Sequence, residues 1–212
     1  SNGDLEFFLR RYCSDENSKK LILEENIVNS IVRKIIEAFK FLQKHKIVHR
    51  DLKLSNILVS NQFELKIADF GFARHIENNT LMQTYCGTPI TMAPEILLKT
   101  KYNSKCDIWS LGVIIYQLLT DKFPFTPKEN NINDLIKKIQ NQPLSFPASI
   151  VLSENVKLLL KMMLKSDFNE RISFEELFEN PWIKEGILDS VQYFREIYKS
   201  KHTNTKIFEN VL

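Results

Sequence analysis

Residues 49–56 read His-Arg-Asp-Leu-Lys-Leu-Ser-Asn (HRDLKLSN), a histidine, two cations, a carboxylate and an amide set between the apolar pair Ile47-Val48 and the apolar run Ile57-Leu58-Val59. That pattern reads as a polar loop held between short strands, and the alternating FELKIA at 63–68 adds another strand. Asp69-Phe70-Gly71 (DFG) begins 13 residues after Asn56; Ala93-Pro94-Glu95 (APE) and Asp107–Gly112 (DIWSLG) follow. Any one of these words recurs by chance, but four in a fixed order on one chain do not.

Working outward, Ile27, Val28, Ile31, Ile35, Phe39 and Leu42 recur every three or four positions and predict one long helix over 24–44 with a single buried stripe. A short helical pattern over 4–12 precedes it, separated by the polar loop SDENSKK. Downstream, the segment 78–84 and the stretch TPITMAPE have no usable period and read as surface loops. Residues 105–120 are apolar almost all round, the pattern of a helix buried on most of its surface. Ser153 and Ser173 each open a further helical pattern with a capping side chain, and Pro181-Trp182 is expected to end the second run. Residues 184–212 read as a tail with one amphipathic helix over 187–198 and a polar break, KSKHTNTK.

The chain has 212 residues, 43% hydrophobic and 26% charged, a composition that buries a core and excludes disordered, collagenous and rod-like classes. Lys and Arg total 29 against 26 Asp and Glu; a surplus of +3 without a basic run argues against nucleic acid as a partner. Three cysteines without CxxC spacing suggest neither a disulfide framework nor a zinc site, and point to a reducing, cytoplasmic setting. The longest apolar stretch, 111–119, falls well short of the roughly 20 residues a bilayer needs, so no membrane span is expected. The N-terminus has no signal-peptide pattern, and its lack of an initiator Met implies a chain cut from something longer.

The four ordered words resemble the eukaryotic protein kinase family, serine/threonine type, and the chain is similar to its C-terminal lobe. The resemblance implies a mainly α fold with a few short strands around the catalytic and DFG loops and no small N-terminal β lobe, residues 1–183 forming the lobe and 184–212 the tail. It implies ATP and Mg²⁺ as cofactors and proteins with Ser/Thr acceptors as substrates. Phosphoryl transfer needs the γ-phosphate held in line with a hydroxyl and its charge neutralised. Asp51 then matches the group that accepts or orients the hydroxyl proton, and Lys53 the cation near the transferring phosphoryl. Asn56 and Asp69 match the Mg²⁺ ligands, hard oxygen donors of the kind that ion prefers. Asp4 matches an acidic position near the ribose, and Leu5, Ile57, Leu58, Ile114 and Leu118 match the apolar column beneath the adenine.

By the same resemblance Glu95 pairs with Arg171, Asp107 hydrogen-bonds the backbone at His49–Arg50, Trp109 packs below the APE loop, and His49 and Phe70 are lower members of the regulatory spine. Lys53 with Thr88-Pro89 favours serine/threonine specificity, Thr88 bonding Asp51 and Lys53. Thr84 matches the activation-loop phosphorylation site, with Arg50 and Arg74 as partners for the phosphate. DFGFAR followed by CGTPITMAPE is most similar to the ULK group, the autophagy-initiating kinases, although Thr91 replaces the usual aromatic before MAPE. Ser55 and Gln117 stand where arginine-directed members often carry Glu, so acceptor sites with apolar flanks are expected.

The five glycines, at 3, 71, 87, 112 and 186, provide no GxGxxG, and no VAIK-type lysine precedes the long helix. The expectation is a fragment that lacks the N-terminal lobe, binds ATP weakly and turns over little alone, with an apolar cleft floor that includes Leu5 and Leu58 open to association. The alternative is a lobe-only pseudokinase, a binding module that docks a partner through the substrate groove or the 131–140 region.

Overall fold

The computed structural model describes residues 2–15, 17, 18, 20, 21, 23–75, 89–186 and 188–209. Its elements in chain order are α1 (Leu5–Tyr12), α2 (Glu25–Lys44), β1 (Ile47–Val48), β2 (Ile57–Val59), β3 (Leu65–Ile67), β4 (Arg74–His75), α3 (Pro94–Leu97), α4 (Lys105–Thr120), α5 (Ile132–Asn141), α6 (Glu154–Met163), α7 (Phe174–Glu179), α8 (Pro181–Lys184) and α9 (Ser190–Glu209). The architecture is mainly helical, and among the described residues the strands form only two antiparallel pairs, β1 with β4 and β2 with β3.

The core is built around α4. Every residue from Cys106 to Thr120 is buried, because its apolar side chains cover the whole helix circumference and neighbours pack on all sides. One neighbour is α2, whose stripe of Ile27, Val28, Ile31, Val32, Ile35, Ile36, Phe39 and Leu42 is buried. The other is α6, whose approach is set by Gly112: a Cβ there would lie 3.0 Å from Leu164 Cδ2 and 3.1 Å from Met163 Cβ. Local signals start the helices. Asp4 caps α1 by accepting from Phe7 N–H, Ser153 caps α6, and Ser173 with Glu176 closes a reciprocal capping box on α7.

Of two expectations about helix ends, one holds and one fails, each for a local reason. The run opened by Ser173 ends as expected, α7 stopping at Glu179, and Pro181 then opens α8 behind an Asn180 cap, since a proline at the first helical position gives up only an N–H that would be unpaired anyway. The KSKHTNTK stretch does not break the tail helix, and α9 runs through it for 20 residues. That stretch holds neither Gly nor Pro, and each of its polar residues costs at most about 0.7 kcal/mol of helix propensity relative to Ala. A helix already nucleated and docked carries on through such a cost. The docking is close: Phe194 is fully buried, and the Ser190 N–H donates to Ser30 Oγ of α2 at 2.6 Å.

Candidate functional site

The loop from β1 is tied to the start of α4. Asp107, wholly buried in the first turn of α4, accepts from the His49 and Arg50 backbone N–H groups, each at 2.8 Å. Burial raises its pKa above the ordinary carboxylate value, and those two backbone hydrogen bonds act in the opposite direction. Held there, Arg50 adopts φ +71°, a left-handed conformation uncommon for a residue with a side chain. Its guanidinium donates to the Phe72 carbonyl and to the Tyr102 hydroxyl. His49 accepts the Asp51 N–H at Nδ1 (3.3 Å) and reaches the Ala68 carbonyl from Nε2 at 2.9 Å, a pair that the neutral Nε2–H tautomer satisfies. Its ring meets Phe70 edge to face at 5.1 Å.

This frame gathers Asp51, Lys53 and Asn56. Asp51 is 3% exposed, and its Oδ2 receives Lys53 Nζ at 2.9 Å and Asn56 Nδ2 at 3.1 Å. The same Asn56 nitrogen donates to the Asp51 carbonyl at 2.8 Å, which fixes the amide and leaves its oxygen to act as an acceptor. The β2–β3 hairpin then brings Asp69 beside Asn56. Its register pairs Ile57 with Ile67, and the Ala68 N–H donates to the Asn56 carbonyl at 2.8 Å, so both expected metal ligands leave one end of one hairpin. Asp69 is exposed, sits at φ +61°, and accepts the Gly71 N–H at 3.3 Å.

An amide oxygen and a carboxylate, both hard donors, suit Mg²⁺, which takes one or two protein oxygens and completes its shell with water and phosphate. Among the described residues no group of three or more His, Cys, Asp or Glu converges as a dedicated metal cage.

The remaining expected positions are placed as follows. Leu58 is 39% exposed and, with Phe70 and Phe72, leaves apolar surface open beside Asp69. Leu5 is 0% exposed, which corrects the expectation that it lines the open floor: α1 turns it inward, so it backs the floor without presenting surface to a ligand. Ile57, Ile114 and Leu118 are likewise fully covered. Asp4 spends its carboxylate on the α1 cap while its backbone bridges to Leu58. Arg74 lies exposed in β4. Thr84 and Thr88 lie outside the described residues.

Glu95 and Arg171 form a bidentate ion pair, at 2.7 and 2.9 Å, with side chains 4% and 0% exposed. The other guanidinium donors go to the Lys105 and Lys165 carbonyls, and the Trp109 ring lies 5.2 Å from the guanidinium carbon. A charge removed from water this completely is tolerated because each donor is used. Ser110 of α4 donates to the Thr91 carbonyl at 2.9 Å, fastening the APE loop at the position where the usual aromatic is replaced. Tyr102, fully buried with its hydroxyl on Arg50, went unrecognised in the sequence, since a lone tyrosine in a loop carries no periodic or motif signal.

Comparison with known proteins identifies the family. The family model described as the protein kinase domain matches residues 2–183. A serine/threonine-protein kinase ATG1 from Debaryomyces hansenii is 35% identical over 220 residues, covering 86% of this chain and 25% of that protein. The atg1 kinase of Dictyostelium discoideum is 36% identical over 191 residues, covering 89% of this chain and 27% of that protein. Serine/threonine-protein kinase 33 of Bos taurus is 36% identical over 205 residues, covering 88% and 42%. The chain thus spans about a quarter of the length of the first two relatives and under half of the third.

Proposed function

The chain belongs to the protein kinase family, and from that premise we propose that it forms the catalytic lobe of a ULK-like serine/threonine kinase that transfers the γ-phosphoryl group of Mg-ATP to hydroxyls of protein substrates. The observation that carries the reading is the Asp51 constellation, a buried carboxylate held in one place by Lys53 and Asn56 beside the hairpin that bears Asp69. Asp51 orients the substrate hydroxyl and takes its proton as that oxygen bonds to the γ-phosphorus and the γ-phosphorus bond to the departing ADP oxygen breaks. Lys53, 29% exposed, keeps a positive charge at the point of transfer. Asn56 and Asp69 would hold Mg²⁺, which when bound neutralises charge on the β- and γ-phosphates.

Three finer statements belong to the same proposal. Thr88, together with Lys53, contributes serine/threonine selectivity. Phosphate on Thr84 is met by Arg50 and Arg74, ordering the activation segment by charge-assisted hydrogen bonds. Turnover also requires a glycine-rich cover and a phosphate-pairing lysine, motifs that the five glycines and the sequence before α2 do not supply, so residues 1–212 alone are expected to turn over little.

The test is phosphoryl transfer from γ-labelled ATP to Ser- and Thr-bearing peptides, using these residues together with their nucleotide-covering lobe. Asp51→Asn should lower kcat by about 10²–10⁴ while leaving the fold intact. Full activity in that variant would overturn the assignment.

A further inference from the structure

Residues 190–202 of α9 lie beyond the stretch matched by the family model, yet they are built into the scaffold of the site. The Phe194 ring, fully buried, meets Phe8 of α1 edge on at 5.0 Å. Four residues on, the Tyr198 ring lies 5.3 Å from Tyr12 of α1 and 5.4 Å from Phe63 at the turn of the β2–β3 hairpin. Phe8 completes the cluster, 4.9 Å from Tyr12 and 6.1 Å from Phe63. One side chain of α9 therefore touches both α1 and the hairpin tip.

Both contacted elements lead to the metal ligands. The hairpin carries Asn56 and Asp69 at its other end, closed by the Ala68-to-Asn56 hydrogen bond. The segment entering α1 is stitched along β2: the Asn2 N–H donates to the Val59 carbonyl, the Val59 N–H to the Gly3 carbonyl, and Asn2 Nδ2 to the Ser60 carbonyl, all at 2.9 Å. Phe63 itself holds φ +65°, a conformation that an aromatic residue keeps only where its surroundings over-determine it. What surrounds it is the ring cluster to which α9 contributes.

The geometry points to Phe194 and Tyr198 as positioning residues for the Mg-nucleotide half of the site: α9 clamps α1 onto the hairpin tip and thereby sets how Asn56 and Asp69 are presented. This rests on the kinase reading above. Asp51 has an anchor independent of the clamp: besides the Asn56 hydrogen bonds, its loop is tied to α4 through Asp107 and its carboxylate receives Lys53. Loosening the clamp therefore acts on nucleotide engagement and spares the chemical step, a split that plain loss of core packing does not produce.

The experiment compares Phe194→Ala, Phe194→Leu, Tyr198→Ala and Tyr198→Phe with the parent, all in the protein that carries these residues together with a nucleotide-covering lobe, by hydrogen exchange and by steady-state kinetics with Mg-ATP. In both alanine variants, exchange at the Val59, Ser60 and Ala68 amides should rise about fivefold or more while the α4 amides stay unchanged. KM for Mg-ATP should rise about three- to tenfold with kcat within about twofold, and the Leu and Phe variants should recover most of the loss. Unchanged exchange at the hairpin, or an equal rise in α4, would overturn the clamp and leave α9 as ordinary core. If Phe194→Ala does not fold, half-buried Tyr198→Ala decides by the same readouts. A parent protein that transfers no phosphate would sink the kinase reading, and the exchange pattern would still decide the clamp.

Discussion

Asp51 and Asp69 stand in the same strand-and-loop region, yet one is 3% exposed and receives Lys53 and Asn56, while the other is exposed and accepts a single 3.3 Å hydrogen bond from its own turn. The Asp51 loop is wired through His49 and Arg50 to Asp107, and the APE segment to Arg171, so this half is organised by the helical core. The Asp69 loop ends among the exposed rings of Phe70 and Phe72. The difference separates two costs. Removing an anchor of the first half, Asp107 or Arg171, costs stability as well as activity, and damage to the second half changes what it binds at little cost in stability.

The contrast is broken most directly at Arg171. Arg171→Ala leaves Glu95 buried without its partner and should cost about 3–5 kcal/mol, lowering Tm by about 10 °C in a thermal melt. Asp107→Ala should come next, about 2–4 kcal/mol by denaturant titration, since it strips the acceptor from two backbone amides that have no route to water. Phe70→Ala, on the exposed side, should stay within about 1 kcal/mol in the same titration; a larger loss would erase the distinction between the halves.

The smallest effect concerns pH and lies away from the site. Glu176 has its carboxyl held below the ordinary value of 4.5 by the Ser173 backbone N–H it accepts in the α7 capping box. Its pKa is lowered on folding, so its contribution is present above the unfolded value and fades as pH falls through the folded one. Melts between pH 7 and pH 3 should show Glu176→Gln losing stability relative to the parent at neutral pH and converging with it in acid.

Much of this was legible because short-range rules carried it. The three- and four-residue spacing from Ile27 to Leu42 and the unbroken apolarity of 105–120 became α2 and α4, and Ser153 and Ser173 start helices where their side chains cap. The HRDLKLSN and DFG words were readable because their chemistry needs fixed residue types at fixed spacing. What the sequence hid is long-range. The rings at positions 8, 12, 63, 194 and 198 share no period, and only the fold brings them into one cluster. Leu5 looked like cleft surface until the direction of α1 turned it inward. KSKHTNTK misled because a docking surface outweighs residue propensity.

The central claim is that Asp51, held by Lys53 and Asn56, is the group through which the acceptor hydroxyl reacts. The measurement that tests it most directly is transfer of γ-labelled phosphate to a Ser-bearing peptide by the protein carrying these residues with its nucleotide-covering lobe, parent against Asp51→Asn, with Mg-ATP affinity measured on both. Transfer lowered by about a hundredfold or more at unchanged affinity is the predicted result. Equal transfer by the two proteins, or none by the parent, would contradict it.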